Sequence, residues 1–312
     1  MPDPIRNKTQ PPVGRFAPSP TGPLHFGSLV AALGSYLNVK SKGGSWLLRI
    51  ENLDPPREDP QAPDAIFRSL EAHGLLWDGR VRFQATRHET YLEALETLIN
   101  LDRAYPCSCT RGIIRQAGKM GPFGPIYPGS CRKFPLNPDS VFYSWRVVTD
   151  DQLIEFEDQR AGLYRQRLES EVGDFIVKRS DGFYAYQLAV VVDDADQGVT
   201  EVVRGEDLLC NTPRQIYLQR LLGLPTPEYL HLPIARDAEG RKLSKQNHAP
   251  AIDNKQASRN LVEALTFLGH PPPASLRGAS PDELLRWGLE NWNIQNIGPA
   301  NGPVLEIASP AP

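Results

Sequence analysis

A chain of 312 residues, 40% of them hydrophobic, can bury a substantial core and is long enough for roughly two domain-sized units. Its formal net charge of -3 gives no overall basic field, so any contact with a nucleic acid must be local. No run of about 18 apolar residues occurs, and Met1–Pro12 holds no apolar stretch with basic flanks, so the expectation is a soluble, cytoplasmic protein with no membrane partner.

The pattern opens with a short strand, Val13–Ala17, stopped by Pro18 and Pro20. An apolar-periodic helix follows from about His25 to Val39, then a second apolar strand, Trp46–Glu51. This βαβ order predicts a parallel sheet with a right-handed crossover. Helices near Pro63–His73 and His88–Leu101 continue the alternation, so the fold expected is α/β, a doubly wound parallel sheet of Rossmann type. Residues 1–12, rich in proline, read as a flexible tail, and 13–103 as the first half of the nucleotide-binding domain. Between 104 and 172 the composition shifts to Gly, Pro, Cys and short alternating strands such as Val141–Val148, the mark of an inserted subdomain. The α/β pattern resumes over 173–235, with an apolar run Phe183–Val192 ending in Asp193 and Asp194, and a segment Glu201–Arg204. Thr212-Pro213-Arg214-Gln215 reads as a capping box opening a helix to about Leu222. In 236–312, a short helical region, helices are expected over Lys255–Leu268 and from a second capping box, Ser280-Pro281-Asp282-Glu283.

Three stretches carry chemistry. Arg15-Phe16-Ala17-Pro18-Ser19-Pro20-Thr21-Gly22-Pro23-Leu24-His25-Phe26-Gly27-Ser28 ends a strand and opens a helix. Such a place offers donors and positive potential to a phosphate, and Gly27 removes side-chain bulk beside it. Arg241-Lys242-Leu243-Ser244-Lys245-Gln246 puts two lysines around a serine on a loop, suited to a departing pyrophosphate, although such a Lys-rich run alone is also the composition of a solvated turn. Cys107-Ser108-Cys109 and Tyr127-Pro128-Gly129-Ser130-Cys131 bring three soft ligands into the insertion, either as a metal staple or as free reduced thiols. Cys210 reads as a small buried hydrophobe. Neither a Walker A sequence nor G-x-G-x-x-G occurs.

Taken in order, the first two stretches resemble the HIGH and KMSKS signatures of class I aminoacyl-tRNA synthetases, with His25-Phe26-Gly27-Ser28 and Lys242-Leu243-Ser244-Lys245-Gln246 in their places. RFAPSPTG is the form of the glutamate-specific members, and the whole looks like their glutamyl-Q branch, over about Val13–Gln246. The resemblance implies His25 and Lys245 as catalytic groups and His25, Gly27, Ser28, Lys242, Ser244 and Lys245 around ATP with its Mg²⁺. It implies an L-glutamate pocket of Arg15, Ala17, Ser19, Glu51, Tyr186 and Arg204, in which arginines suit carboxylates and Glu51 suits an ammonium. It further implies one structural zinc on Cys107, Cys109, Tyr127 and Cys131, and a partner RNA, tRNA(Asp) carrying queuosine, with no DNA. The 67 residues after Lys245 are fewer than the on the order of 100 that an anticodon-reading domain needs, hence the expectation that this branch charges queuosine itself. Arg111, Arg115, Lys119, Arg132 and Lys133 are a candidate RNA patch, or a solvated face. Two other readings share these motifs: a truncated synthetase charging the end of tRNA(Glu), and a non-catalytic RNA-binding paralogue.

Overall fold

Short apolar strands that alternate with one-sided helices must stack in layers, because each element has a face to bury. The computed structural model describes residues 10–133, 143–236 and 250–298. It opens with β1 (Val13–Phe16), α1 (Phe26–Lys40) and β2 (Ser45–Ile50), and β1 and β2 pair in parallel, as the βαβ pattern requires. Next come α2 (Ala62–Ala72), β3 (Arg82–Phe83) and α3 (His88–Asn100). The segment rich in Gly, Pro and Cys supplies β4 (Ala104–Cys107), α4 (Arg111–Ala117), β5 (Met120–Gly121), β6 (Gly124–Pro125), α5 (Ser130–Lys133), β7 (Ser144–Val147), β8 (Leu153–Asp158), β9 (Gly162–Arg167) and α6 (Leu168–Glu171). After it run β10 (Ile176–Lys178), α7 (Tyr186–Asp196), β11 (Glu201–Gly205), α8 (Thr212–Leu222), β12 (Glu228–Leu232), α9 (Ala257–Phe267) and α10 (Pro281–Asn291).

Among the described residues seven strands form one sheet in the order β3-β2-β1-β11-β12-β8-β9. Its pairs are parallel except the β8–β9 hairpin, so the doubly wound α/β fold expected from the sequence is the one formed. The hairpin from the Gly- and Pro-rich segment thus extends the main sheet, while β4 and β7 join β10 in a separate antiparallel sheet and β5 pairs with β6. Chain order runs outward from β1 to β3 on one side and from β11 to β12 on the other. The crevice between β1 and β11 is therefore a topological switch point, where strand carboxyl ends leave room for a ligand.

Each face of the sheet has its own core. Leu33 and Leu37 of α1 pack with Trp46, Leu261, Leu265 and Leu284 on one side; Leu95, Val190, Val191 and Ile216 pack on the other. Each such fully buried side chain contributes about 1.5–3 kcal/mol. Helix α1 lies close on the sheet because residue 34 is glycine, where a Cβ would sit 2.5 Å from Leu232 Cδ1. The Ser280 capping box forms as expected, with Ser280 and Glu283 bonding reciprocally. The Thr212 box does not: Asn211 is the cap, Thr212 is already helical, and its hydroxyl is used elsewhere. Cys210 is half-buried rather than buried.

Candidate active site

The cleft at the switch point has a volume of about 690 Å³. Its walls are the loop after β1, the start of α1, Glu51 after β2, Tyr186 at the start of α7, and the loops after β11 and β12. Of the residues singled out in the sequence, Ser19, His25, Gly27, Ser28, Glu51 and Tyr186 line it. Ala17 lies between two lining residues, Phe16 and Pro18, while Arg15 and Arg204 stand behind the wall, 3% and 6% exposed. Lys242, Ser244 and Lys245 lie outside the described residues; beyond that segment Ala251 bridges His25, and Ile252 N–H donates to Leu24 O at 3.0 Å.

The β1–α1 loop is turned into a helix start by His25 itself. His25 is the N-cap, and its Nδ1 accepts the Ser28 N–H at 3.2 Å. An acceptor Nδ1 makes Nε2 the protonated nitrogen of the neutral ring, a donor at the positive end of α1.

Behind the cleft sits a buried network of charges that sequence reading did not connect. Asp194 accepts Arg15 Nε at 3.0 Å and Nη2 at 3.3 Å, and also Arg49 Nη2 at 2.7 Å. Its neighbour Asp193 accepts from Gln84 at 2.8 Å, Tyr91 at 2.7 Å and Arg87 at 3.1 Å. Burial would raise the Asp194 carboxyl, but Arg15 and Arg49 outweigh it and hold the group below the usual carboxylate range. Glu51, 3.4 Å from Arg49 Nη2, goes the other way: burial raises its pKa and Arg49 and Arg15 reverse only part of that. The available signal for these acids was their place at the end of an apolar run, since a buried aspartate needs a partner.

Arg204, on β11, is held differently. Its Nη1 donates to Tyr186 Oη at 3.2 Å, Nη2 to Thr212 Oγ1 at 2.9 Å, and Nε to His231 Nε2 at 3.1 Å. No carboxylate is among these partners. These bonds leave its charge uncancelled beside the cleft that Tyr186 lines.

A second constellation lies in the insertion. Cys107, Cys109 and Cys131 bring their Sγ atoms within 4.8 Å of one another, and Tyr127 Oη lies 3.3 Å from Cys107 Sγ and 3.7 Å from Cys109 Sγ. Tetrahedral zinc with bonds of about 2.3 Å holds its sulfurs roughly 3.8 Å apart, so this donor set fits such an ion. Burial would raise the Cys131 thiol, but hydrogen bonds from Tyr127 and the Ser108 backbone bring it down to about 7. Arg146 donates to Cys107 Sγ at 3.2 Å and lies 4.1 Å over the Tyr127 ring, adding positive charge beside the sulfurs. Gly173, at φ 75°, lets its backbone abut Tyr127; a Cβ there would be 2.6 Å from Tyr127 O. The basic residues in this segment, Arg111, Arg115, Lys119, Arg132 and Lys133, are all exposed, and Arg132 is also tied to Asp174 at 3.1 Å. No described helix is long and apolar enough to cross a membrane.

Comparison with known proteins agrees with this architecture. Residues 13–275 match the class I (E and Q) tRNA synthetase catalytic domain. The chain is 54% identical over 300 residues to the glutamyl-Q tRNA(Asp) synthetase of Thiobacillus denitrificans, covering 96% of this chain and 98% of that one. It is 52% identical over 294 residues to the protein of that name in Chromobacterium violaceum, with 93% and 97% covered. Among solved structures, a glutamate tRNA ligase from Elizabethkingia meningosepticum in complex with its amino acid superposes with a TM-score of 0.75 at 24% identity, over 92% of this chain and 66% of that longer one. The glutamate-tRNA synthetase of Elizabethkingia anophelis gives 0.77 at 24% identity, over 95% and 68%. At that identity the two structures bear on the fold alone.

Proposed function

This chain belongs to the class I tRNA synthetases of the E and Q type, in the glutamyl-Q tRNA(Asp) synthetase family, and from that premise we propose that it joins L-glutamate to ATP, without tRNA, and passes the glutamyl group to queuosine at the wobble position of tRNA(Asp) in the cytoplasm. The observation that supports the amino-acid half most directly is Arg204, a buried cation whose hydrogen-bond partners at the cleft are all neutral. A buried charge is costly unless paired, and a substrate carboxylate supplies the missing counter-charge. Arg15 contributes through Nη1, the nitrogen outside its pair with Asp194. Glu51 takes the substrate ammonium, and Ala17 and Ser19 shape the wall beside it.

In the first step an oxygen of the glutamate α-carboxylate attacks the α-phosphorus of ATP, and the bond to the β-phosphate breaks to release pyrophosphate. His25 Nε2–H and the N-terminus of α1, with Gly27 and Ser28, meet the α-phosphate as charge develops on it. Lys242, Ser244 and Lys245 are assigned to the departing pyrophosphate on the motif alone. Mg²⁺ accompanies ATP and screens its phosphates. In the second step a hydroxyl of the queuosine cyclopentenediol attacks the glutamyl carbonyl and AMP leaves. Cys107, Cys109, Cys131 and Tyr127 would hold one zinc ion, whose role is to staple the insertion.

Labelled pyrophosphate exchange into ATP with L-glutamate and no tRNA tests the first step, and His25→Ala should reduce it roughly 10²-fold, the scale of losing one transition-state donor. Absence of glutamate-dependent exchange in the wild type overturns the reading. Labelled glutamate should then pass to tRNA(Asp) carrying queuosine and not to the same tRNA lacking it; preference for tRNA(Glu) would replace the acceptor. Metal analysis should find about one zinc per chain, and a folded, metal-free protein unaffected by Cys109→Ser would remove the staple.

A further inference from the structure

Arg204 can serve an anionic substrate only if it is held rigidly and its charge is not cancelled by whatever holds it. A carboxylate would hold it and neutralise it. The residues behind Arg204 solve this by another route, through two groups to which no role has so far been given. His231, on β12, is fully buried, and so in practice is Asp158, at the end of β8. Asp158 Oδ2 receives two donations from the same residue: the His231 backbone N–H at 3.0 Å and the ring Nδ1 at 2.6 Å. Its Oδ1 caps the β8–β9 turn, accepting the N–H groups of Arg160 at 3.1 Å and Ala161 at 2.8 Å.

The donor logic then runs in one direction. An aspartate that accepts from backbone N–H groups on both oxygens is an ionised acceptor, so His231 Nδ1 must carry a hydrogen. In the neutral ring Nε2 is then a bare lone pair. It is met by two donors, Arg204 Nε at 3.1 Å and Thr212 Oγ1 at 3.3 Å. Thr212 donates its hydroxyl hydrogen to the ring while its oxygen accepts Arg204 Nη2 at 2.9 Å. Every hydrogen in this cluster has one assignment. A protonated ring, or the other tautomer, would point an N–H at the Arg204 N–H.

We infer that Asp158 and His231 are positioning residues for the amino-acid substrate: Asp158 fixes the Nδ1–H tautomer of His231, whose neutral Nε2 orients Arg204 while leaving its positive charge for the substrate carboxylate. The Asp158 carboxylate is thereby kept one imidazole ring away from the guanidinium. Burial, the largest influence on His231, lowers its pKa, and Asp158 only partly opposes this, so the neutral ring is the form in place. Arg160 secures the arrangement from outside, donating to the His231 carbonyl and pairing with Glu206. The inference rests on the reading of Arg204 as a carboxylate ligand.

Two measurements test it. In the intact wild-type protein labelled with ¹⁵N-histidine, the ring nitrogens of His231, assigned by loss of their signals in His231→Gln, should report a neutral Nδ1–H tautomer from about pH 8 to about pH 7. An Nε2–H tautomer or a charged ring in that range overturns the inference whatever the variants do. Pyrophosphate-exchange kinetics then compare side chains at one site. His231→Phe removes the acceptor and should raise the KM for glutamate about tenfold or more, the scale of one hydrogen bond to a charged group, with the KM for ATP nearly unchanged. His231→Gln, whose amide oxygen can reoccupy the Nε2 position, should recover most of that loss. His231→Glu has the same length but places a carboxylate on Arg204, and it should be at least as impaired as His231→Phe. Equal kinetics for the Gln and Glu variants, or parallel rises in both KM values, would reduce His231 to packing. Absence of glutamate-dependent exchange in the wild type would instead strike the underlying reading and leave the tautomer result standing.

Discussion

Arg15 and Arg204 are buried to nearly the same degree, 3% and 6% exposed, yet they are held by opposite means. Arg15 gives two nitrogens to Asp194, which also takes Arg49, so charge there is matched inside the protein. Arg204 gives its nitrogens to a histidine, a threonine and a tyrosine, and among the described residues these bonds leave its charge unmatched. A buried pair stabilises chiefly against its own disruption, whereas a buried cation with neutral partners is a standing cost that a ligand can relieve. One side of the cleft is therefore backed by a matched framework, and the other by the cation that the proposed substrate carboxylate would meet.

The comparison breaks most visibly at Asp194. Asp194→Ala strands Arg15 and Arg49 in the interior and should cost about 3–5 kcal/mol of stability, measured by urea or thermal unfolding. A loss below about 1 kcal/mol would mean that water or Asp193 substitutes for it and that the framework reading is wrong. Arg204→Ala should show the reverse profile. Stability should fall by much less, and glutamate-dependent pyrophosphate exchange should fall by about 10²-fold with ATP use nearly intact, as expected for loss of a charge-assisted contact. Equal losses toward glutamate and ATP would make Arg204 structural as well.

The sequence displayed the local elements of the cleft better than the networks behind it. The strand, Pro-rich loop and helix around His25 were legible because the signals are local: apolar periodicity, two prolines and a capping side chain within one turn. The Ser280 capping box was legible for the same reason. The network under Arg15 was not, since Asp194 lies 179 residues away and nothing in an apolar run that ends in two aspartates names its arginines. His231 and Asp158, separated by 73 residues, were equally invisible, as was the β8–β9 hairpin's place on the main sheet, which lateral pairing alone decides. Thr212 shows local and tertiary demands in conflict. Its box pattern is sound, but the hydroxyl is engaged by Arg204 and His231, so Asn211 takes the cap position. Arg15 and Arg204 read alike in the sequence because a residue type carries no record of its neighbours, an aspartate for one and a histidine for the other.

The smallest expected effect sharpens the comparison at Glu51, which stands between the two regimes. It lies 3.4 Å from Arg49 Nη2, yet burial lifts its pKa above the usual carboxylate range. Asp194, sharing Arg49, is pulled below that range, so Asp194 stays ionised throughout the pH interval in which Glu51 titrates. The sign follows directly. Above its raised pKa, Glu51 is a carboxylate that can pair with the substrate ammonium; as pH falls through that value the group takes up a proton and the pair is lost. The KM for glutamate should therefore rise on acidification, by at most about tenfold per pH unit for a single group, before the substrate side chain with its pKa of about 4.3 begins to protonate. The KM for ATP should not follow. Glu51→Gln, fixed in the neutral form, should have a high KM for glutamate that is flat over the same interval. A variant that keeps the wild-type slope would place the titrating group elsewhere in the cleft and return Glu51 to the framework side.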